Sequence, residues 1–164
     1  MGMGELQAAL ALIGEHPDRS DFVGPRHADL VEAAERALGV AFPPSYREFL
    51  LKLGAGNFGG VEIFGVIGAN FENSAIPDAV WLTLRARKEW PLPASMVVVQ
   101  FDGMTGYHVL DTSRRDPGGE SPVLLWYPAR SRDDGTPQII AADFGSFFLD
   151  AVETDITGPA RRRH

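Results

Sequence analysis

The sequence predicts an α+β fold, with N-terminal helices and a C-terminal helix packed around a mostly antiparallel sheet of four to six strands. Three observations predict it. Residues 29–54 carry two helical apolar stripes in succession, residues 61–127 turn to short β-branched runs parted by Gly-containing loops, and residues 143–152 return to a phenylalanine-rich helical stripe. The strand–helix alternation of a doubly wound sheet is absent, so the helices segregate from the strands.

Taken in order, residues 5–14 read as a short peripheral helix with Leu6, Ala9, Leu10 and Ile13 on one face and Gly14 at its end. His16 to Pro25 is polar and reads as a loop. In the next helix Asp29 and Glu32 can cap the start, Leu30, Val31, Ala34 and Leu38 form the stripe, and Gly39 ends it. Ser45 and Glu48 then have capping-box spacing, with Tyr46, Phe49, Leu50 and Leu53 at i, i+3, i+4 and i+7 before Gly54. Two such helices cannot bury both stripes alone; they need a sheet to lie on.

Val61 to Ile67 reads as a strand interrupted by Gly65, and residues 68–77 as a loop of a length that often carries function. Asp78 can cap a helix running to Trp90, with Val80, Trp81 and Leu84 on its apolar side. Met96–Phe101 and Tyr107–Asp111, joined by Asp102-Gly103-Met104-Thr105-Gly106, form an antiparallel hairpin. Pro122–Tyr127 adds a third strand, and Gln138–Ile140 a short edge strand. Asp143 caps a closing helix whose stripe is Phe144, Phe147, Phe148, Ala151 and Val152. This organisation predicts one domain over residues 1–155 and a flexible basic tail, 156–164, that ends in Arg161, Arg162, Arg163 and His164.

Composition limits the function classes. The 164 residues fit a single core that buries about two thirds of the unfolded surface. No cysteine is present, which removes disulfides and thiolate metal sites and suits a reducing compartment. The first ten residues lack a signal peptide's basic start and apolar run, and no stretch approaches a membrane span, so the chain reads as cytoplasmic. A net charge of −7 disfavours nucleic acid, whose phosphates need a basic face, and accommodates a basic partner more easily, although an acidic surface more often serves solubility. The imbalance is local: residues 1–78 hold 11 acids against 5 bases, residues 79–164 hold 11 against 10. Between Leu53 and Val80 stand Glu62, Glu72 and Asp78 and no base.

Gly54-Ala55-Gly56-Asn57-Phe58-Gly59 satisfies G-x-G-x-x-G, but it follows a helix and precedes a strand. A dinucleotide fingerprint requires the reverse order, so that a helix N-terminus meets the pyrophosphate. These glycines therefore read as a helix stop and a tight turn. His16, His27, His108 and His164 show no metal-ligand spacing, and no cofactor motif is present. His108 with Asp102 or Asp111 is the one pairing that could serve a small hydrolase, although a strand histidine is more often simply half exposed. Asp133 and Asp134 adjoin Gly135, where turn formation accounts for them.

The stretch from Val31 to Val40, followed by Phe42-Pro43-Pro44-Ser45-Tyr46-Arg47-Glu48-Phe49-Leu50, resembles the signature of the SUKH superfamily of bacterial immunity proteins, the Smi/Knr type also found in a yeast cell-wall regulator. Asp102–Asp111 resembles its mid-domain hairpin, and Pro122-Val123, Trp126 and Ala142–Leu149 its late strand and closing helix. The resemblance implies a non-enzymatic protein that neutralises a toxin, commonly a nuclease or deaminase, or a regulatory scaffold of the same fold. It implies no catalytic residues. The surface expected to meet a basic toxin is the base-free segment with Glu62, Glu72 and Asp78, joined by Asp102.

Overall fold

The computed structural model describes residues 2–128 and 137–161, with side chains up to residue 158. Asp133, Asp134, Gly135 and the last arginines' side chains lie outside the described residues. The α+β class holds: α1 (Gly2–Glu15), α2 (Ala28–Leu38), α3 (Pro44–Lys52), α4 (Ala79–Glu89) and α5 (Phe144–Arg161) surround two antiparallel sheets. The larger sheet has the order β4 (Met96–Phe101), β5 (Tyr107–Asp111), β6 (Val123–Trp126) and β7 (Gln138–Ala141). The smaller is β1 (Ser20–Phe22), β2 (Gly56–Phe58) and β3 (Val61–Ile63).

The larger sheet is covered on both faces. Val97, Val99, Leu110 and Val123 face a core shared with α1, α2, α3 and α5, while Val98, Val109, Leu124 and Trp126 face a second cluster with Ala79, Leu82 and Ala86 of α4. Burial on both faces is why Met96–Val99 is a continuous apolar run instead of an alternating one. The aromatic centre of the main core is Tyr46, Phe49, Phe144 and Phe148, with ring centroids between 5.0 and 6.1 Å for the contacts across the α3–α5 boundary and within α3. The helix stripes expected for α3 and α5 are thus the stripes that meet.

Several local expectations are corrected. The first helix is central: Leu6 and Ala9 are fully buried, and α1 lies along α5 and α3. The second helix begins at Ala28, so His27 becomes the N-cap and its Nδ1 accepts the Asp29 N–H at 3.2 Å in place of an Asp29 cap. Ser45 forms no capping box with Glu48. Its N–H and Oγ donate to the buried Glu120 carboxylate at 3.1 and 2.9 Å, and its Oγ accepts from Gly145 N at 3.0 Å. A remote carboxylate thereby serves the first turn of α3, where backbone N–H groups lack intrahelical partners. On α4 Val80 is fully buried as expected, but Trp81 and Leu84 are half-buried, and Ala79, Leu82, Thr83 and Ala86 complete the buried side. Small residues let the helix approach β4 closely enough for Thr83 Oγ1 to accept from Val98 N at 3.0 Å.

The glycines after α3 do more than stop it. Gly54 has φ of 76° and ends the helix as expected, but Gly56–Phe58 is the middle strand of the smaller sheet, paired with β1 and β3. Gly56 has φ of 138°, and a Cβ there would collide with Asp21 of β1. The polar segment expected to be loop supplies that strand, Ser20–Phe22. At the other end, α5 runs on past Thr154 because Ile156 prolongs its apolar stripe. Asp155, one turn beyond the expected core of the helix, reaches the smaller sheet: its carboxylate pairs with Arg19 at 3.0 Å and accepts from Gly60 N at 2.9 Å.

Candidate protein-binding face

The smaller sheet alternates inside and outside, as period-two geometry requires. Phe58 and Ile63 point into the core, and Asp21, Asn57 and Glu62 stand opposite one another in a single outward row across β1, β2 and β3. Both acids of the row are exposed. Past β3 the chain crosses to the larger sheet, where Phe64 N donates to Val99 O at 2.7 Å and Gln100 Nε2 to Glu62 O at 3.2 Å. This crossing joins two segments without lysine or arginine, one between Lys52 and Arg85 and one between Lys88 and Arg114.

The four acids expected at the surface separate into two groups. Glu62 and Glu72 are exposed and have no cationic partner among the described residues. Asp102 is half-buried, also without a cation among the described residues, and its Oδ1 accepts from Met104 N at 2.7 Å and Gly106 N at 3.0 Å, which fixes the β4–β5 turn. Asp78 leaves the surface: it is 1% exposed, and its Oδ1 accepts from Val80 N at 3.0 Å and Trp81 N at 3.1 Å as the N-cap of α4. Burial raises its pKa, an effect partly offset by the Trp81 N–H, the Ser74 side chain and the Val80 N–H. A residue that both caps a helix and lies under the surface cannot touch a partner.

Several cations, by contrast, are engaged internally. Arg19 pairs with Asp155, Arg47 with Glu32 and Glu35, Arg85 with Glu89, and Arg114 with Asp111. Arg26 donates to Ile67 O at 2.6 Å, and Arg87 to Ala94 O at 2.7 Å. The outward acids of the row and of the 68–77 loop therefore face solvent with their charge uncompensated by these groups.

The histidine–carboxylate pairing is not formed. His108 Nδ1 hydrogen-bonds Gln100 Oε1 at 2.7 Å, and its ring meets Phe147 edge-on with centroids 5.2 Å apart. Burial lowers its pKa, partly countered by the Asp102 charge, so the imidazole is neutral at pH 7. Asp111 is 4% exposed and bound to Ser95, Ser113 and Arg114, a knot that secures the end of β5. Neither carboxylate orients the imidazole, as a general base would require. Among the described residues no three His, Asp or Glu side chains converge on a position that could hold a metal ion, and no helix is long and apolar enough to cross a membrane.

Sequence reasoning missed Asp21, because a three-residue strand gives too short an alternation to be seen. It also passed over Phe101 and Met104, at the end of β4 and in the turn after it, which are 43% and 81% exposed. Their signal was present: large apolar residues flanking an Asp-Gly turn have no interior to enter.

These features define an α+β domain of helices on a central antiparallel sheet, with an acidic row on a second small sheet. The chain matches the family model SUKH_6, described as SMI1-KNR4 cell-wall, over residues 28–148, from the start of α2 into α5. That match covers well over half of the chain, which belongs to the SUKH superfamily.

Proposed function

We propose that this protein is a non-enzymatic immunity factor that binds and neutralises a cognate toxin domain, a basic nuclease or deaminase, in the cytoplasm of the cell that makes it. The carrying observation is the electrostatic asymmetry: Glu62 and Glu72 stand exposed without a cationic partner among the described residues, while arginines elsewhere are engaged internally. Membership of the SUKH superfamily supports the same reading. An acidic face accelerates and orients the encounter with a basic one, and a nuclease is basic where it holds phosphate. Glu62, Glu72 and Asp102 are the proposed contact acids, with Asp21 added from the outward row.

Co-expression with the product of the neighbouring gene tests this. Relief of that product's toxicity, and co-purification with it, is the expected result; a toxic neighbour that is not relieved would remove the proposal's main support. In the complex, Glu62→Gln with Glu72→Gln should slow association about five-fold at low ionic strength and flatten its salt dependence, with little change in dissociation. Stopped-flow association rates across a salt series would show it.

The family description names the cell wall, and this favours a second reading, a regulatory scaffold with several partners. That reading predicts weak, salt-sensitive association with more than one cellular protein and no relief of a neighbouring toxin.

A further inference from the structure

Arg26, in the turn between β1 and α2, directs its guanidinium at backbone carbonyls. Its Nε donates to Pro25 O at 3.1 Å and Gly24 O at 3.2 Å, one η nitrogen to Val23 O at 3.2 Å, and the other to Ile67 O at 2.6 Å, 41 residues along the chain. No carboxylate pairs with it among the described residues. The turn itself lies over the end of α3, where Arg26 N donates to Leu50 O at 3.3 Å and Gly24 N to Leu53 O at 3.0 Å. Carbonyls at a helix C-terminus carry partial negative charge, so a cation near that end is favoured without an acid. Gly54 leaves the room for it: a Cβ there would lie 2.5 Å from Gly24 O and 3.1 Å from Arg26 Cγ.

Ile67 is the last residue before the 68–77 loop. The loop leaves and returns at one point, because Gly65 and Asp78 form a parallel bridge, with Gly65 N donating to Pro77 O at 2.9 Å and Ala79 N to Gly65 O at 2.7 Å. A segment closed in this way is an Ω-loop. Its return is fixed by the bridge, Phe71 packs against the main core, and its outgoing end is tied by Arg26. Glu72 follows Phe71 and is exposed.

From this arrangement we infer that Arg26 is a positioning residue for the proposed binding face: it holds the outgoing end of the 68–77 loop, so that Glu72 meets a basic partner from a pre-ordered backbone. A loop ordered before binding loses less conformational entropy in the complex, and binds more tightly than a mobile one. Lysine does not replace Arg26. The planar guanidinium reaches carbonyls in its own turn and at residue 67 together, whereas an ammonium is a single point on a flexible stem. The role also runs against the charge. A cation beside an acidic loop repels a basic partner, so charge alone predicts tighter binding once it is removed, while positioning predicts weaker binding.

The part given to Glu72 rests on the proposed toxin-binding function, and the test separates the two. Backbone ¹⁵N relaxation is measured first, on the free wild type and on Arg26→Lys and Arg26→Gln. Order parameters at residues 68–73 should be about 0.85 in wild type and fall below about 0.6 in both variants, with those of α3 and α5 unchanged. A loop already mobile in wild type, or one that stays within about 0.1 of the wild-type value in either variant, overturns the inference. Should neither variant fold, the wild-type side chain decides: separate signals from the two η nitrogens of Arg26 support a fixed guanidinium, and one averaged signal overturns it. Catalytically inactivated product of the neighbouring gene is then titrated into wild type and Arg26→Gln. Binding at least about five-fold weaker in the variant is the expected result, and equal or tighter binding overturns the inference while leaving the proposed function standing. If wild type does not bind that product, the proposed function fails, and the relaxation comparison alone decides whether Arg26 positions the loop.

Discussion

Asp78 shows how a residue's position decides between charge and structure. It carries a formal charge in the acidic segment, but it lies under the surface and accepts two N–H groups of α4. Because burial raises its pKa, the folded state holds its proton more tightly than the unfolded chain does. The stability that this provides is fully present below the ordinary carboxylate range, about pH 4, and is lost as pH rises through the raised folded value. Asp78→Asn keeps an acceptor for the cap and removes the buried charge, so it should be at least as stable as wild type at pH 7 and lack this component of the pH dependence. Asp78→Ala should lose about 1–2 kcal/mol, the usual cost of removing a cap. Urea unfolding from pH 4 to 7 distinguishes the two, and equal damage by both substitutions would show that the charge itself is required. Glu120 has the same sign of shift, from burial and partly offset by its Ser45 hydrogen bonds, but it serves two donors of Ser45. Glu120→Ala should cost about 2 kcal/mol by leaving the buried N–H of Ser45 unpaired, read as a lower urea midpoint.

At the level of elements, the sequence announced what repetition makes visible. The stripes of α3 and α5 are long enough for a 3.6-residue period to be recognised, and the β4–β5 hairpin is marked by a β-branched run and a Gly-containing turn. Elements that depend on distant partners were harder to read. Strands β1 and β2 are three residues each, and β2 lies within a glycine cluster whose purpose becomes plain only when β1 is found against Gly56. Of the apolar side that the sequence suggests for α4, Val80 is fully buried but Trp81 and Leu84 are only half-buried, because Ala79, Leu82, Thr83 and Ala86 take the rest of the inward side. Of the candidate site, the acidity was legible from composition and the burial of Asp78 was not, since the same aspartate serves equally as cap or surface charge in a linear pattern. Two substitutions examine these element-scale contacts. Thr83→Val preserves shape but leaves the buried Val98 N–H without its acceptor, and should lower stability by about 1–2 kcal/mol in chemical denaturation. Gly56→Ala forces a side chain into a left-handed backbone position against β1 and should cost about 2–3 kcal/mol.

Across the whole molecule, the larger sheet divides the interior into two clusters, and the exposed acids Asp21, Glu62 and Glu72 lie outside both. Helices α1, α2, α3 and α5 share one cluster, while α4 gives Val80 to it and Ala79, Leu82 and Ala86 to the other, so the outward acids Asp21 and Glu62 can vary without disturbing either.

The Asp155 carboxylate has one further consequence. It holds Arg19, just before β1, and Gly60, between β2 and β3, against the last turns of α5. The acidic sheet is thus laced to the far end of the chain by one side chain, and its opening should follow the unwinding of that helix end. Native-state hydrogen exchange would register this as a shared opening of the amides around Gly60 and of those near Asp155, faster together in Asp155→Asn, while the amides of the Tyr46–Phe148 core keep the slow exchange of global unfolding.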